Sequence, residues 1–228
     1  RVSLAKRLGF HTLAHFGLPM GPPEDATTCI SDHAVVQFYQ ARLKWLFTEY
    51  PGIDDVMVYT YDQFAWLCSE FGDCPRCHGV PLHVRLIKFL SALREAIHLV
   101  KPDGRLWWEP WEISEGQILS VVEGIEPEGF GLILHHTVAE VRFCNTTDGT
   151  LRNTTKLASR RGIPVMGEGF FSGAGEDIFP MTHLACPRLV YQQLKALAET
   201  PGIVGAKEYY GMVPEHFSAN IGMYKAFL

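Results

Sequence analysis

Hydrophobic positions along this chain fall into two alternating kinds of segment. The first kind is a short run that is apolar at successive positions, such as Val56-Met57-Val58-Tyr59 or Leu132-Ile133-Leu134. A run without polar alternation predicts a strand buried on both faces. Strands are expected on this basis at residues 11–18, 55–62, 106–109, 131–136, 163–168 and 203–208. The second kind is longer and carries its apolar residues at helical spacing. Ser31-Asp32 reads as the cap of a helix running to Glu49, with Val35, Phe38, Tyr39, Leu43 and Leu46 as its apolar stripe. Residues 84–100 form a second helix, with Leu86, Phe89, Leu90, Leu93 and Ile97 on one face. Further helices are expected at 117–123, 151–161 and 186–200, with the beginning of another at 220–227. Pro51-Gly52 and Pro201-Gly202 stop the helices they follow.

Strands alternating with helices require crossover connections, and crossovers produce a parallel sheet. The expected fold class is therefore α/β. Within it, a (β/α)8 TIM barrel is favoured over a doubly wound sheet. No Gly-rich phosphate fingerprint follows the first strand, and polar residues collect after many strands rather than at one switch point. Six strands are expected, against eight in a closed barrel. The reading is an incomplete barrel of about six βα units, a single domain spanning residues 1–228. Its first two units are placed upstream of Arg1, and the helix begun near Leu228 suggests a cut at the other end.

Bulk composition narrows the partners. The 228 residues carry a net charge of −5, are 47% hydrophobic and 12% aromatic, and contain no apolar run near the length of a membrane span. Such a chain lacks the basic stripe of a nucleic-acid binder. The expectation is a soluble protein, cytoplasmic or secreted, with neither nucleic acid nor membrane as partner and with its oligomeric state open.

The chemistry is expected where acids end the apolar runs. Asp62 ends VMVYTYD, Glu109 ends RLWWE, Glu168 ends IPVMGE and Glu208 ends IVGAKE. Parallel strands in a barrel finish at one rim, where catalytic groups gather from several strands. Counting the two absent strands, these acids would end strands four, five, seven and eight. Aromatic residues crowd the same positions: Tyr59 and Tyr61 near Asp62, Trp107, Trp108 and Trp111 around Glu109, and Tyr209 after Glu208. Rings beside carboxylates suit a sugar, whose C–H faces pack on aromatics and whose hydroxyls bind acids. Tyr61, Trp108, His136 and Tyr209 are the candidate substrate-binding residues. His135 and His136 are adjacent on a strand, so only one of them can enter the site.

Three cysteines cluster as Cys68-x5-Cys74-x2-Cys77, followed by His78. These residue types have zinc-ligand spacing. A structural zinc would pin the loop after Asp62. A Cys68–Cys74 or Cys68–Cys77 disulfide, or three reduced thiols, are the alternatives. Cys29, Cys144 and Cys186 read as scattered buried or free thiols.

The segments VMVYTYD with CSEFGDCPRC, RLWWEPWE and GIVGAKEYYG resemble the catalytic barrel of glycoside hydrolases, in the group that includes hexosaminidase-like and α-glucuronidase-like enzymes. The resemblance implies hydrolysis of glycosidic bonds by a pair of carboxylates, with Asp62 as acid and Glu168 as its partner, and no cofactor for catalysis. Hexosaminidase-like enzymes carry an Asp-Glu pair after the fourth strand, whereas Asp62 is followed by Gln63. Glu208 and Glu109 would bind substrate or tune the pair. Two other readings stay open: a metal-dependent barrel hydrolase, and a non-catalytic carbohydrate-binding barrel.

Overall fold

A computed structural model describes residues 2–17, 29–60, 68–111, 113–137, 149–169, 187–208, 222–223 and 226–227. The chain divides into two compact units, Arg1–Leu132 and Ile133–Leu228. The first contains α1 (Val2–Arg7), β1 (Leu13–Gly17), α2 (His33–Glu49), β2 (Asp55–Thr60), α3 (Leu82–His98), β3 (Leu106–Pro110), α4 (Glu115–Gly124) and the start of β4 (Phe130–Thr137). The second contains the rest of β4, then α5 (Gly149–Arg160), β5 (Val165–Gly169), α6 (Pro187–Glu199) and β6 (Ile203–Glu208).

Strand order follows chain order, β1-β2-β3-β4-β5-β6. In the first unit β1 pairs with β2, β2 with β3, and β3 with the first residues of β4, all parallel. In the second unit β5 and β6 are parallel, with Glu168 opposite Lys207 and Gly169 opposite Glu208. A doubly wound sheet would reverse its order at a switch point, whereas sequential order belongs to a (β/α) barrel. The described residues form six strands, an incomplete set for that fold.

The central strands β2 and β3 are covered on both faces, as expected, whereas β1 and β6 are not: Leu13 is 38% and Val204 62% exposed. Every residue of β3 is buried, and all of β2 except Tyr59. In β3, alternation sets Trp107 and Glu109 on one face and Leu106 and Trp108 on the other. Gly131 lies opposite Trp107, and a Cβ there would stand 2.5 Å from the indole, so the ring's packing requires glycine.

The helices form near their expected positions, with departures in the stripe of α2, where Phe47 rather than Leu46 is buried, and at the start of α4, at Glu115. Asp32 caps α2 by accepting from the Ala34 amide at 2.9 Å. Ser114 and Gln117 form a reciprocal capping box on α4. The expected face of α3 is buried in full. In α2 the buried line is Val35, Tyr39, Leu43 and Phe47, spaced by four. Phe38, expected in the stripe, is 54% exposed and lies under the Arg42 guanidinium at 5.3 Å. The contact stripe of α2 is narrower than its apolar composition suggests. No described helix is long and apolar enough to cross a membrane.

Candidate active site

Because the strands are parallel, the acids expected at their ends lie at C-terminal ends. Asp62, Tyr61 and Tyr209 fall outside the described residues, as do the side chains of Glu208 and His136. Glu109, Glu168 and Trp108 can be placed.

In the first unit, Glu109 sits near the end of β3 and is 1% exposed. It stands opposite Tyr59 of β2. The Tyr59 ring lies edge-on to His15 at 5.7 Å and tilted against Trp111 at 6.2 Å. Thr60 ties this corner together. Its carbonyl accepts from the Trp111 amide at 3.0 Å, and its hydroxyl donates to the Glu109 carbonyl at 3.4 Å. Trp108 occupies a different place from the one expected for a sugar platform. Its side chain is fully buried, and its indole N–H donates to the Thr60 hydroxyl at 2.8 Å. Strand alternation turns it away from the Glu109 face and into the core. The half-buried Trp111 is the tryptophan that lies beside Tyr59.

In the second unit, Glu168 of β5 is 1% exposed. His135 of β4 and Lys207 of β6 flank it. His135 Nδ1 is 3.0 Å from Oε2, and Lys207 Nζ is 2.5 Å from Oε1. One carboxylate thus faces an imidazole and an ammonium, each delivered by a neighbouring strand. A buried carboxylate in contact with a cation is favoured in its charged form. The arrangement can hold a nucleophile or a base, and the imidazole can move a proton. The sequence offers His135 and His136 as a pair of which one enters the site and favours His136, whereas Lys207 did not stand out. Of the adjacent histidines of β4, His135 is the one seen to meet Glu168. The register that sets Lys207 opposite Glu168 belongs to strand pairing, not to any local motif.

The cysteine loop has a different membership from the one expected. Cys29, Cys68, Cys74 and Cys77 converge, with their sulfurs all within 4.8 Å of one another. Cys29 reaches the cluster from just before α2. The His78 side chain is not in this group. Its Nδ1 lies 3.1 Å from the Gly72 carbonyl oxygen, and the residue is exposed. No disulfide joins the four cysteines. Burial pushes the Cys29 thiol far up and the Cys68 thiol up to about 11. At Cys74 burial also raises the pKa, but the Arg76 amide and the neighbouring sulfur of Cys77 outweigh it, bringing the thiol down to about 7.

Comparison with known proteins agrees with the barrel wiring. No family model matches the chain, and no curated protein does. Solved structures do match. A GH5 xyloglucanase from Bacteroides ovatus, in complex with a XXXG heptasaccharide, superposes with a TM-score of 0.59 at 12% identity, covering 99% of this chain and 57% of that enzyme. A psychrophilic family 10 endo-β-1,4-xylanase gives a TM-score of 0.57 at 12% identity, covering 91% and 69%. A GH18 chitinase from Pseudoalteromonas aurantia gives 0.58 at 13%, covering 100% and 80%. The chain thus spans little more than half the length of the xyloglucanase. At these identities the likeness is one of fold: the (β/α) barrel that these glycoside hydrolases use.

Proposed function

We propose that this chain is the catalytic barrel, or a large part of it, of an enzyme that hydrolyses glycosidic bonds. The observation that carries the reading is the buried Glu168 carboxylate near the C-terminal end of β5, held between His135 and Lys207. Barrel enzymes take their catalytic groups from this end of their strands. The proposal is supported by the fold likeness to glycoside hydrolases and by the Tyr59–Trp111 ring pair beside Glu109.

Glycoside hydrolysis needs one carboxylic acid to protonate the leaving oxygen and one carboxylate to act as nucleophile or base. Glu168 is assigned the carboxylate role, because the adjacent Lys207 ammonium stabilises its negative charge. Asp62 is assigned the acid role from its position just beyond β2. Glu109 and Glu208 are assigned to substrate hydroxyls, with Tyr61, His136 and Tyr209 as further sugar contacts.

The test is a panel of aryl glycosides and polysaccharides offered to the complete natural polypeptide. N-acetylglucosaminides and glucuronides belong in the panel, since the sequence resemblance points to that group. Glu168→Gln is expected to lower kcat by about 10³-fold, within the range for a lost acid–base group, with an unchanged circular dichroism spectrum. Undiminished sugar release by both Glu168→Gln and Asp62→Asn would overturn the assignment. Binding of sugars without turnover of any glycoside would replace the enzyme with a carbohydrate-binding barrel.

A further inference from the structure

The four converging cysteines lie in the first unit. We propose that Cys29, Cys68, Cys74 and Cys77 bind one structural zinc ion as a tetrathiolate, and that this ion fastens the loop after β1 to the loop after β2.

Geometry separates this from the alternatives. A disulfide requires sulfurs about 2.05 Å apart. Cys29 Sγ stands 3.4 Å from Cys77 Sγ and 3.8 Å from Cys74 Sγ. A tetrahedral zinc with bonds of about 2.3 Å has sulfur–sulfur edges of about 3.8 Å. The Cys29–Cys74 separation matches that edge and the Cys29–Cys77 separation is shorter, and the cluster has four ligands, the number a structural zinc site takes. All four ligands are thiolates, and a soft sulfur set selects zinc or iron over hard cations.

The surrounding backbone supports a metal knuckle. Cys74 to Cys77 form a tight turn in which the Cys77 and His78 amides donate to the Cys74 carbonyl at 3.0 and 2.9 Å. The amides of Arg76 and Cys77 also reach the Cys74 sulfur, and that of Ser31 reaches Cys29. Arg85, 3% exposed, donates to the Cys68 carbonyl at 2.7 Å and to the Val80 carbonyl at 3.0 Å. A zinc tetrathiolate carries a net charge of about −2, and this buried guanidinium beside it offsets part of that charge. Arg76 reaches across to Asp32 at 2.9 Å, joining the same two loops a second time.

The placement explains the use. β1 ends at Gly17 and α2 begins at His33; β2 ends at Thr60 and α3 begins at Leu82. Both connections leave the C-terminal ends of their strands, where a barrel builds its site. Both are longer than a typical βα loop. Fastening two long loops through a metal removes loop entropy that packing would otherwise have to offset. The ion would hold these two loops of the first unit in shape.

The experiment is metal analysis of the chain purified without chelator, followed by cobalt substitution. One zinc per chain is expected, and cobalt should give the intense thiolate-to-metal charge-transfer bands of a tetrahedral sulfur site. Cys29→Ser should weaken zinc binding more than about 100-fold, beyond the usual cost of losing an outer-sphere partner. His78→Ala should leave zinc binding unchanged. The proposal falls if the chain carries no metal, if it carries iron, or if its mass shows disulfides. It also falls if His78→Ala releases the metal while Cys29→Ser keeps it. Should Cys29→Ser fail to fold, the cobalt spectrum of the unaltered chain decides, and absence of the charge-transfer bands overturns the site.

Discussion

Two buried acids in this protein stand at opposite ends of their strands. Asp55 begins β2 in the first unit and is 5% exposed; Glu168 sits near the end of β5 in the second and is 1% exposed. Asp55 accepts from the Arg105 amide, the Trp107 indole N–H and His11 Nε2, each at 2.9 Å. Its neighbour Asp54 is held by Lys6 at 2.8 Å and by the Thr12 amide at 2.7 Å. These bonds stitch α1 and β1 to the start of β2, and most come from donors that never release their proton. The partners of Glu168 are an imidazole and an ammonium, which can exchange protons or respond to a ligand. Burial alone therefore does not separate the two places, and partner type does not either, since His11 and Lys6 meet Asp55 and Asp54 as His135 and Lys207 meet Glu168. What differs is the end of the strand: the N-terminal face of a barrel serves stability and the C-terminal face chemistry.

Substitution tells the two strand ends apart. The largest effect expected is the about 10³-fold fall in kcat for Glu168→Gln, with stability little changed. Next comes Asp55→Ala, which strands the Trp107 N–H and the Arg105 amide. It should lower unfolding free energy by about 3 kcal/mol, read from urea denaturation, while activity per folded molecule is kept. If Asp55→Ala instead abolishes turnover in a stable protein, the division between the two strand ends is wrong. Lys207→Met leaves the Glu168 carboxylate without its ammonium and should reduce kcat by about 10- to 100-fold, within the range for a supporting charge. An unchanged kcat would make that ion pair purely structural.

The smallest effect concerns Asp54. Burial opposes its charge, but Lys6 and Thr12 more than compensate and hold the carboxyl well below the usual carboxylate range. A folded pKa below the unfolded value means the stabilisation is complete at neutral pH. It is lost as pH falls below about 4, where the unfolded chain begins to take up the proton. Asp54→Asn should therefore cost about 1–2 kcal/mol at pH 7, and the gap from the natural chain should narrow in acid. A gap that stays constant down to strongly acidic pH would remove the Lys6–Asp54 pair from the account.

Much of the fold was legible in local pattern. The buried face of α3 and the bounds of β6 follow directly from apolar spacing and from the Pro201-Gly202 stop. The strand-end position of Glu168 was equally visible. What escaped was anything that depends on a partner far along the chain. Trp108 looks like a rim aromatic in RLWWE, yet strand alternation sends it inward to Thr60. Cys29 looks solitary, yet it meets three cysteines from a loop beyond the next strand. His135 and His136 are indistinguishable in the sequence, and only the fold brings His135 to Glu168.

The element types, their alternation and therefore a parallel sheet follow from local pattern, because those depend on the period of hydrophobic residues within each segment. Local pattern also puts Glu109 and Glu168 near the ends of their strands. Folding alone sets which side chains meet: Glu168 with His135 and Lys207, Cys29 with Cys68, Cys74 and Cys77. Contacts of this kind are set by strand register and by the meeting of distant loops. A one-residue shift in register would turn every such side chain to the opposite face, a choice that no local run of residues encodes.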